Sequence, residues 1–289
     1  MNVLVIGGTR FFGKALVRLL AEKGHDVTIA TRGLTDDPFG EQVKRLRIDR
    51  ENEESMKKAI DGLSFDVVFD TICYSSEDAR IACSALQGKV KRYVFVSSMA
   101  VYNEGFNLEE EDFDAAAYPI RMGTKEAFTY GEGKRQAEAF FSQRADFPVV
   151  SVRFPVVLGK DDYTKRLLFY CEKVFRKEPL NATGGKFSFI DGDEAGRFLS
   201  WVGEQSYAGP INANSNGTIS LQEILLHLEE LTGNRAVLDS KGEPAPYNHY
   251  VNYTLDNGLA RELGFEFGNV KETVFPLIGH YIEELKQGS

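Results

Sequence analysis

The chain is poor in cysteine: Cys73, Cys83 and Cys171 are odd in number and widely spaced among 289 residues. That excludes a small disulfide-framed domain and a cysteine zinc site, and points to reduced thiols in a cytoplasmic protein. Histidine is also scarce. His25, His227, His249 and His280 fall at no metal-ligand spacing, so each reads as structural and no metal site is expected. No apolar run approaches the ~18 residues of a membrane span. The chain opens directly on a strand-like segment, with no basic stretch ahead of a hydrophobic one, so neither a secretory signal nor membrane attachment is expected. Positive charge is in deficit. The net charge of −9 opposes sequence-independent nucleic-acid binding, which relies on basic patches. Low-complexity tracts and internal repeats are absent too. What remains is an ordinary soluble composition on a chain longer than one typical domain.

The N-terminal half alternates. Asn2–Ile6 is a short apolar, β-branched run, the pattern of a parallel strand buried on both faces. Further strands are expected at Val27–Ala30, Val43–Ile48, Asp66–Ile72, Arg92–Ser97 and Val149–Val152. Helical periodicity separates most of them, at Lys14–Lys23, Glu53–Ile60, Ser76–Leu86 and Lys134–Arg144. Repeated strand–helix units imply an α/β fold with a parallel, doubly wound sheet. Ligands of such sheets bind beyond the carboxyl ends of the strands, so the residues after each strand are the functional candidates.

The first strand runs into Gly7, Gly8, Thr9, Arg10, Phe11, Phe12 and Gly13, and then a helix. Strand, glycine-rich turn and helix form the context of a dinucleotide-binding turn, with backbone N–H groups facing a pyrophosphate at a positive helix end. Gly7 would make the tight turn, Gly8 would admit the phosphates, and Gly13 would let the helix pack closely. Arg10 stands where the simple G-x-G-x-x-G pattern has its middle glycine. A connection that binds nothing is the bland alternative. After the second strand the chain offers Arg32, with no acid at Ala30 or Thr31. A cation there suits a 2′-phosphate and hence NADP, with NAD possible; a solvated loop charge is the alternative. Asp49 follows the third strand, as an adenine contact or a turn residue. Thr71 and Cys73 follow the fourth, where the chain would pass near the nicotinamide ribose.

Ser98 ends the fifth strand, placed to donate to a substrate oxygen. Tyr130 and Lys134 stand four apart at the start of a helix, on one face and about one turn apart. An ammonium beside a phenol favours the phenolate, which would make Tyr130 a general acid–base. Residues 103–129 read as a long loop, and its acidic run Glu109-Glu110-Glu111-Asp112 as a solvated charge cluster. The pattern changes near Gly159. We therefore expect a dinucleotide-binding domain over 1–158 and a smaller mixed α/β substrate lobe over 159–289, with some segments returning to the first sheet. Helices are expected at Asp161–Lys177, Glu194–Glu204, Ser220–Thr232, Asp256–Leu263 and Val270–Lys286, and strands at Phe187–Ile190 and Pro210–Ala213. Arg153, Lys186 and Arg197 are candidate substrate contacts, with an ordinary surface or structural charge as the favoured alternative for each.

Taken in order, the glycine turn, Ser98 within Val94–Tyr102 and the Tyr-x-x-x-Lys pair resemble the extended short-chain dehydrogenase/reductase superfamily, in its nucleotide-sugar epimerase and dehydratase branch. Val152-Arg153-Phe154-Pro155 through Gly159, Phe189–Asp193 and Leu259–Phe265 resemble later motifs of that branch, so the likeness covers nearly the whole chain. The resemblance implies a Rossmann domain, a nucleotide-linked sugar or related alcohol as substrate, and a homodimer. It also implies Tyr130 as acid–base, Lys134 on the nicotinamide ribose and Ser98 on the reacting oxygen. Met99-Ala100 stands where dehydratases of the branch carry an Asp-Glu pair, which argues against 4,6-dehydration. The turn Gly7–Gly13 and Asp49-Arg50 look more like an atypical subgroup that includes the plant chloroplast stem-loop RNA-binding proteins. A non-catalytic nucleotide-sensing or RNA-binding scaffold is therefore the rival expectation.

Overall fold

The computed structural model describes residues 1–248 and 251–288, so His249 lies outside the described residues. The first strands are β1 (Asn2–Ile6), β2 (Asp26–Thr31), β3 (Lys44–Arg47), β4 (Val67–Asp70) and β5 (Tyr93–Ser98). They alternate with α1 (Phe12–Glu22), α2 (Glu53–Ala59) and α3 (Ser76–Leu86). Next come β6 (Gly105–Leu108), α4 (Tyr130–Arg144), β7 (Val149–Phe154) and β8 (Val156–Leu158). The remainder carries α5 (Arg166–Arg176), β9 (Pro179–Asn181), β10 (Lys186–Phe187), β11 (Phe189–Asp191), α6 (Gly192–Val202) and β12 (Gly209–Asn212). It ends with β13 (Ile219–Ser220), α7 (Leu221–Thr232), β14 (Val237–Leu238), β15 (Glu243–Pro244), β16 (Asn252–Leu255), α8 (Gly258–Glu262) and α9 (Val270–Gln287).

Seven strands form one parallel sheet in the order β12-β7-β5-β4-β1-β2-β3. Its alternating side chains feed two cores. Val3 and Val5 face the core under α1 and α6, while Leu4 and Ile6 face the core under α2, α3 and α4. The α/β, doubly wound expectation holds, and β12 lies beside β7 although it falls late in the chain. The order reverses between β1 and β4, which sets the ligand crevice at the carboxyl ends of those strands. A third core joins α5, α7 and α9 to the small sheets β13-β10-β16-β6, β11-β8 and β14-β9-β15.

Helix ends follow their caps. Asn52, Ser75, Thr129 and Asp191 each accept from a backbone N–H in the first turn of the next helix. Ser220 and Glu223 form a capping box on α7. Thr129 starts α4 at Tyr130, four residues ahead of the expected Lys134. Conversely, α5 begins at Arg166, later than the expected Asp161, because Lys165 is left-handed (φ 55°) and Asp162 organises a turn by accepting from Thr164.

Two further expectations are corrected. The 103–129 segment is not a plain loop, since β6 pairs in parallel with β16. Its acids are not uniformly solvated either. Glu110 is half-buried, its carboxylate accepts from Asn212 N–H (2.7 Å), and its carbonyl accepts from Arg153 (2.7 Å). Among the described residues no helix is long and apolar enough to cross a membrane.

Candidate active site

Three adjoining cavities run along the carboxyl ends of the sheet. The central one, about 400 Å³, is bounded by the turn Gly7–Gly13, by Thr71, Ile72 and Tyr74 after β4, and by Ser98, Tyr130 and Lys134. Gly7 is required there: its φ is +94°, and a Cβ would lie 2.3 Å from Thr71 Oγ1. A Cβ on Gly13 would lie 2.9 Å from Gly8 Cα, so α1 approaches the turn as closely as the backbone permits. Bare backbone at a helix start, open to a cavity, is the donor set a pyrophosphate needs, so the residues present fit a dinucleotide. Thr9, Arg10, Phe11 and Phe12 all line this space. Phe11 holds φ 48°, and its ring lies against Gly159 and Gly192.

Lys134 is almost fully buried. Its ammonium donates to the carbonyls of Cys73 (2.7 Å) and Val96 (2.8 Å). It also lies 4.5 Å from the Tyr74 ring centroid, 5.0 Å from Phe95 and 5.8 Å from Tyr130. Carbonyls and ring faces offset the cost of burying the charge. An ammonium has three donors, so one remains for the cavity. Tyr130 is 57% exposed at the first helical position, with its ring 6.4 Å from that of Tyr74. Gly131 and Gly133 let α4 lie against Ala100 and Tyr74, whose carbonyl oxygens would be 2.6 and 2.2 Å from added Cβ atoms. Ser98 Oγ accepts from Ala100 N–H (3.2 Å), which leaves its own proton free to point at the cavity.

Cys73 departs from the expectation. Its side chain is buried in the core, its thiol donates to the Ser75 carbonyl, and burial pushes that thiol up from its ordinary value. It lies in the loop beyond β4 with its side chain turned into the core, so it reaches the site through the carbonyl that accepts from Lys134, and Ile72 and Tyr74 stand beside Thr71 in its place. The Tyr74 phenol is likewise pushed up by burial.

A second cavity of about 290 Å³ continues past Arg10 to Arg32, Asp49, Glu51 and Lys125. Asp49 is exposed and caps a local turn through Glu51 N–H (3.1 Å). Arg50 beside it is buried and pairs with Asp70 (2.6 Å). The outer cavity, about 420 Å³, opens from the central one. It is lined by Ser98, Tyr130, Val157, Tyr163, Phe187 and Tyr253, among others.

Arg153, Lys186 and Arg197 line none of these spaces. Arg153 is fully buried. It pairs with Glu138 (2.7 Å) and donates to Tyr102 Oη and to the carbonyls of Glu110 and Phe113. Ser97 Oγ donates to the same Glu138. Arg197 pairs with Glu194 (3.2 Å) on α6, and Lys186 lies on the surface over Phe106 (6.0 Å). The residues that sequence reasoning missed are Tyr74, Tyr163 and Arg166, none of which falls at a motif position.

The chain belongs to the NAD dependent epimerase/dehydratase family, whose model matches residues 3–210. It is 33% identical over 221 residues to the chloroplast stem-loop binding protein of 41 kDa b from Arabidopsis thaliana, covering 71% of this chain and 56% of that protein. It is 32% identical over 99 residues to 2'-dehydrokanamycin reductase of Streptomyces kanamyceticus, covering 34% of this chain and 28% of the reductase. The matches thus span about half or less of those relatives. Among solved structures, UDP-glucose 4-epimerase from Thermus thermophilus, in complex with NAD, matches with TM-score 0.75 and 19% identity over 97% of this chain and 99% of the other. The Thermotoga maritima UDP-glucose 4-epimerase with UDP-glucose gives TM-score 0.77 and 19% identity over 99% and 100%. These structural likenesses concern the fold.

Proposed function

We propose that the protein is an NADP-dependent oxidoreductase or epimerase acting on a nucleotide-linked sugar or related alcohol. The observation that carries this reading is the opening of Ser98, Tyr130 and Lys134 onto one cavity bounded by the glycine turn. The turn Gly7–Gly13 would hold the pyrophosphate, and the bound cofactor would supply the hydride chemistry. Ser98 Oγ donates to the substrate oxygen and fixes its position. Tyr130 Oη accepts the hydroxyl proton as hydride leaves the same carbon, and returns a proton when the reaction runs the other way. Lys134, tied to two carbonyls, offers its third donor to the nicotinamide ribose. Thr71 belongs to the wall beside that ribose and Asp49 to the adenine end, with Cys73 contributing through its carbonyl.

NADP is favoured over NAD by Arg32 and Arg10, which line the cavity beyond the turn, with no acid at Ala30 or Thr31 at the end of β2. A cytoplasmic homodimer is the assembly proposed with this reading, on family resemblance. Tyr130→Phe is expected to lower turnover by ~10²–10⁴-fold, the usual loss for an acid–base group, while leaving NADPH binding in place. Unchanged turnover in that variant would remove Tyr130 from its role.

The name of the Arabidopsis relative favours a second reading, a stem-loop-binding scaffold on the same fold. Titration with a stem-loop RNA across salt concentrations tests it, since phosphate contacts weaken steeply with salt. Salt-sensitive RNA binding together with an inert Tyr130 would support the scaffold.

A further inference from the structure

Arg166 opens α5 and lines both the central and the outer cavity. It is the only cation among the described residues lining the outer cavity, and Asp162 is the only anion there. Asp162 is already engaged, accepting from Thr164 N–H (2.9 Å) and Oγ1 (2.6 Å). Every other buried or half-buried arginine among the described residues is held by protein oxygens: Arg50 by Asp70, Arg80 by Glu77 and Glu53, Arg92 by two carbonyls, Arg135 by Val101 and Arg153 by Glu138. Arg166 is half-buried; among the described residues no hydrogen bond or carboxylate holds its guanidinium, and its charge acts on the nearby Tyr247 phenol. A guanidinium that opens on a cavity with no carboxylate bound to it keeps its paired N–H donors free for an oxyanion of a ligand. Tyr247, 2% exposed on the wall of the same cavity, also has a hydroxyl without a partner among the described residues.

We propose that Arg166 is the specificity-determining residue of this site, and that its guanidinium clasps one oxyanion of the substrate while the reacting alcohol lies between Ser98 and Tyr130. The inference rests on the functional reading above and narrows it: the substrate carries a phosphate or carboxylate close to the reacting carbon. One cation in the outer cavity fits one oxyanion group there, held through the paired N–H geometry that arginine offers and lysine does not.

The test is calorimetric titration of the NADPH-saturated protein with inorganic phosphate and, separately, with acetate. In the wild type one of the two anions binds saturably, and the better one says which oxyanion the substrate bears. Arg166→Gln is expected to weaken that binding by at least about tenfold, and Arg166→Lys by less, as expected when charge-assisted hydrogen bonds are lost. NADPH affinity is expected to stay within about twofold in both variants. Neither anion binding the wild type, equal binding by Arg166→Gln, or an equal loss of NADPH affinity would each overturn the assignment; the last would hand Arg166 to the cofactor. If NADPH itself does not bind the wild type, the functional reading fails, and the same titrations of the cofactor-free protein still decide Arg166.

Discussion

The central and outer cavities share a wall and are built in opposite ways. The central one is made by a single contiguous turn, by strand ends and by an ammonium fixed to two carbonyls. The outer one takes only Phe11 and Phe12 from that turn and is otherwise assembled from side chains of scattered segments, around residues 98–100, 130, 155–166, 187–188 and 246–247, with Tyr253. Backbone recognition suits a ligand whose shape does not vary, and side-chain recognition suits one that differs between relatives. The glycine turn should therefore govern all chemistry at the site, and Arg166 only the choice of substrate.

The sharpest strain on this division comes from the joint between the regions. Arg153 and Glu138 tie β7 and α4 to the segment around residues 110–113. Glu138→Leu would leave a buried guanidinium unpaired. Urea unfolding should show a loss of about 3–5 kcal/mol, the usual result of removing one partner of a buried pair. A loss below about 1 kcal/mol, the range of exposed pairs, would mean that the pair is solvated in solution.

Next in size is Gly7→Ala. Positive φ and the approach of Thr71 should together lower stability by about 1–3 kcal/mol and abolish NADPH binding in a fluorescence titration. Retained binding would show that the turn does not cradle the cofactor. A smaller effect is expected from Arg32→Ala, an exposed cation: about tenfold weaker NADPH binding, or ~1.4 kcal/mol, with NADH binding unchanged. Tighter binding of NADH than NADPH by the wild type would contradict the reading of Arg32.

The smallest effect is on acid stability, and it comes from two carboxylates that line neither cavity. Glu53 is held at about 2 by hydrogen bonds from Lys57, Ser84 and Arg80, and Glu223 at about 2 by Lys271 and Ser220. Both values are depressed from 4.5, so each contribution is complete above about pH 4.5 and fades as the pH falls towards about 2. Glu53→Gln and Glu223→Gln should each flatten the dependence of the urea midpoint on pH within that window and leave its shape above pH 5 unaltered. A steepening there would place the linkage on other groups.

What could be read from the sequence follows the same division. Parallel strands buried on both faces are continuous apolar runs, so β1, β4 and β5 and their trailing site residues were visible from local pattern. The glycine turn and the Tyr130/Lys134 pair are short motifs and Ser98 marks a strand end, and all of them line one cavity. Arg153, weighed as a substrate contact against a structural charge, is the structural charge; the sequence could not name its partners, because Glu138, Tyr102 and Glu110 are remote along the chain. Strand β6 was hidden because its partner β16 lies some 150 residues away and half of its residues are polar or glycine. Arg166 and Tyr163 had no signal, since what distinguishes them is which distant segments surround them.

The most direct test of the account is a crystal structure of the protein with NADP. It should show the pyrophosphate on the turn Gly7–Gly13 and the ribose hydroxyls on Lys134. The reactive carbon of the nicotinamide should face a space within about 3 Å of both Ser98 Oγ and Tyr130 Oη, the reach of a hydrogen bond. A dinucleotide bound elsewhere, or bound here with Tyr130 turned out to solvent and Ser98 covered, would contradict it.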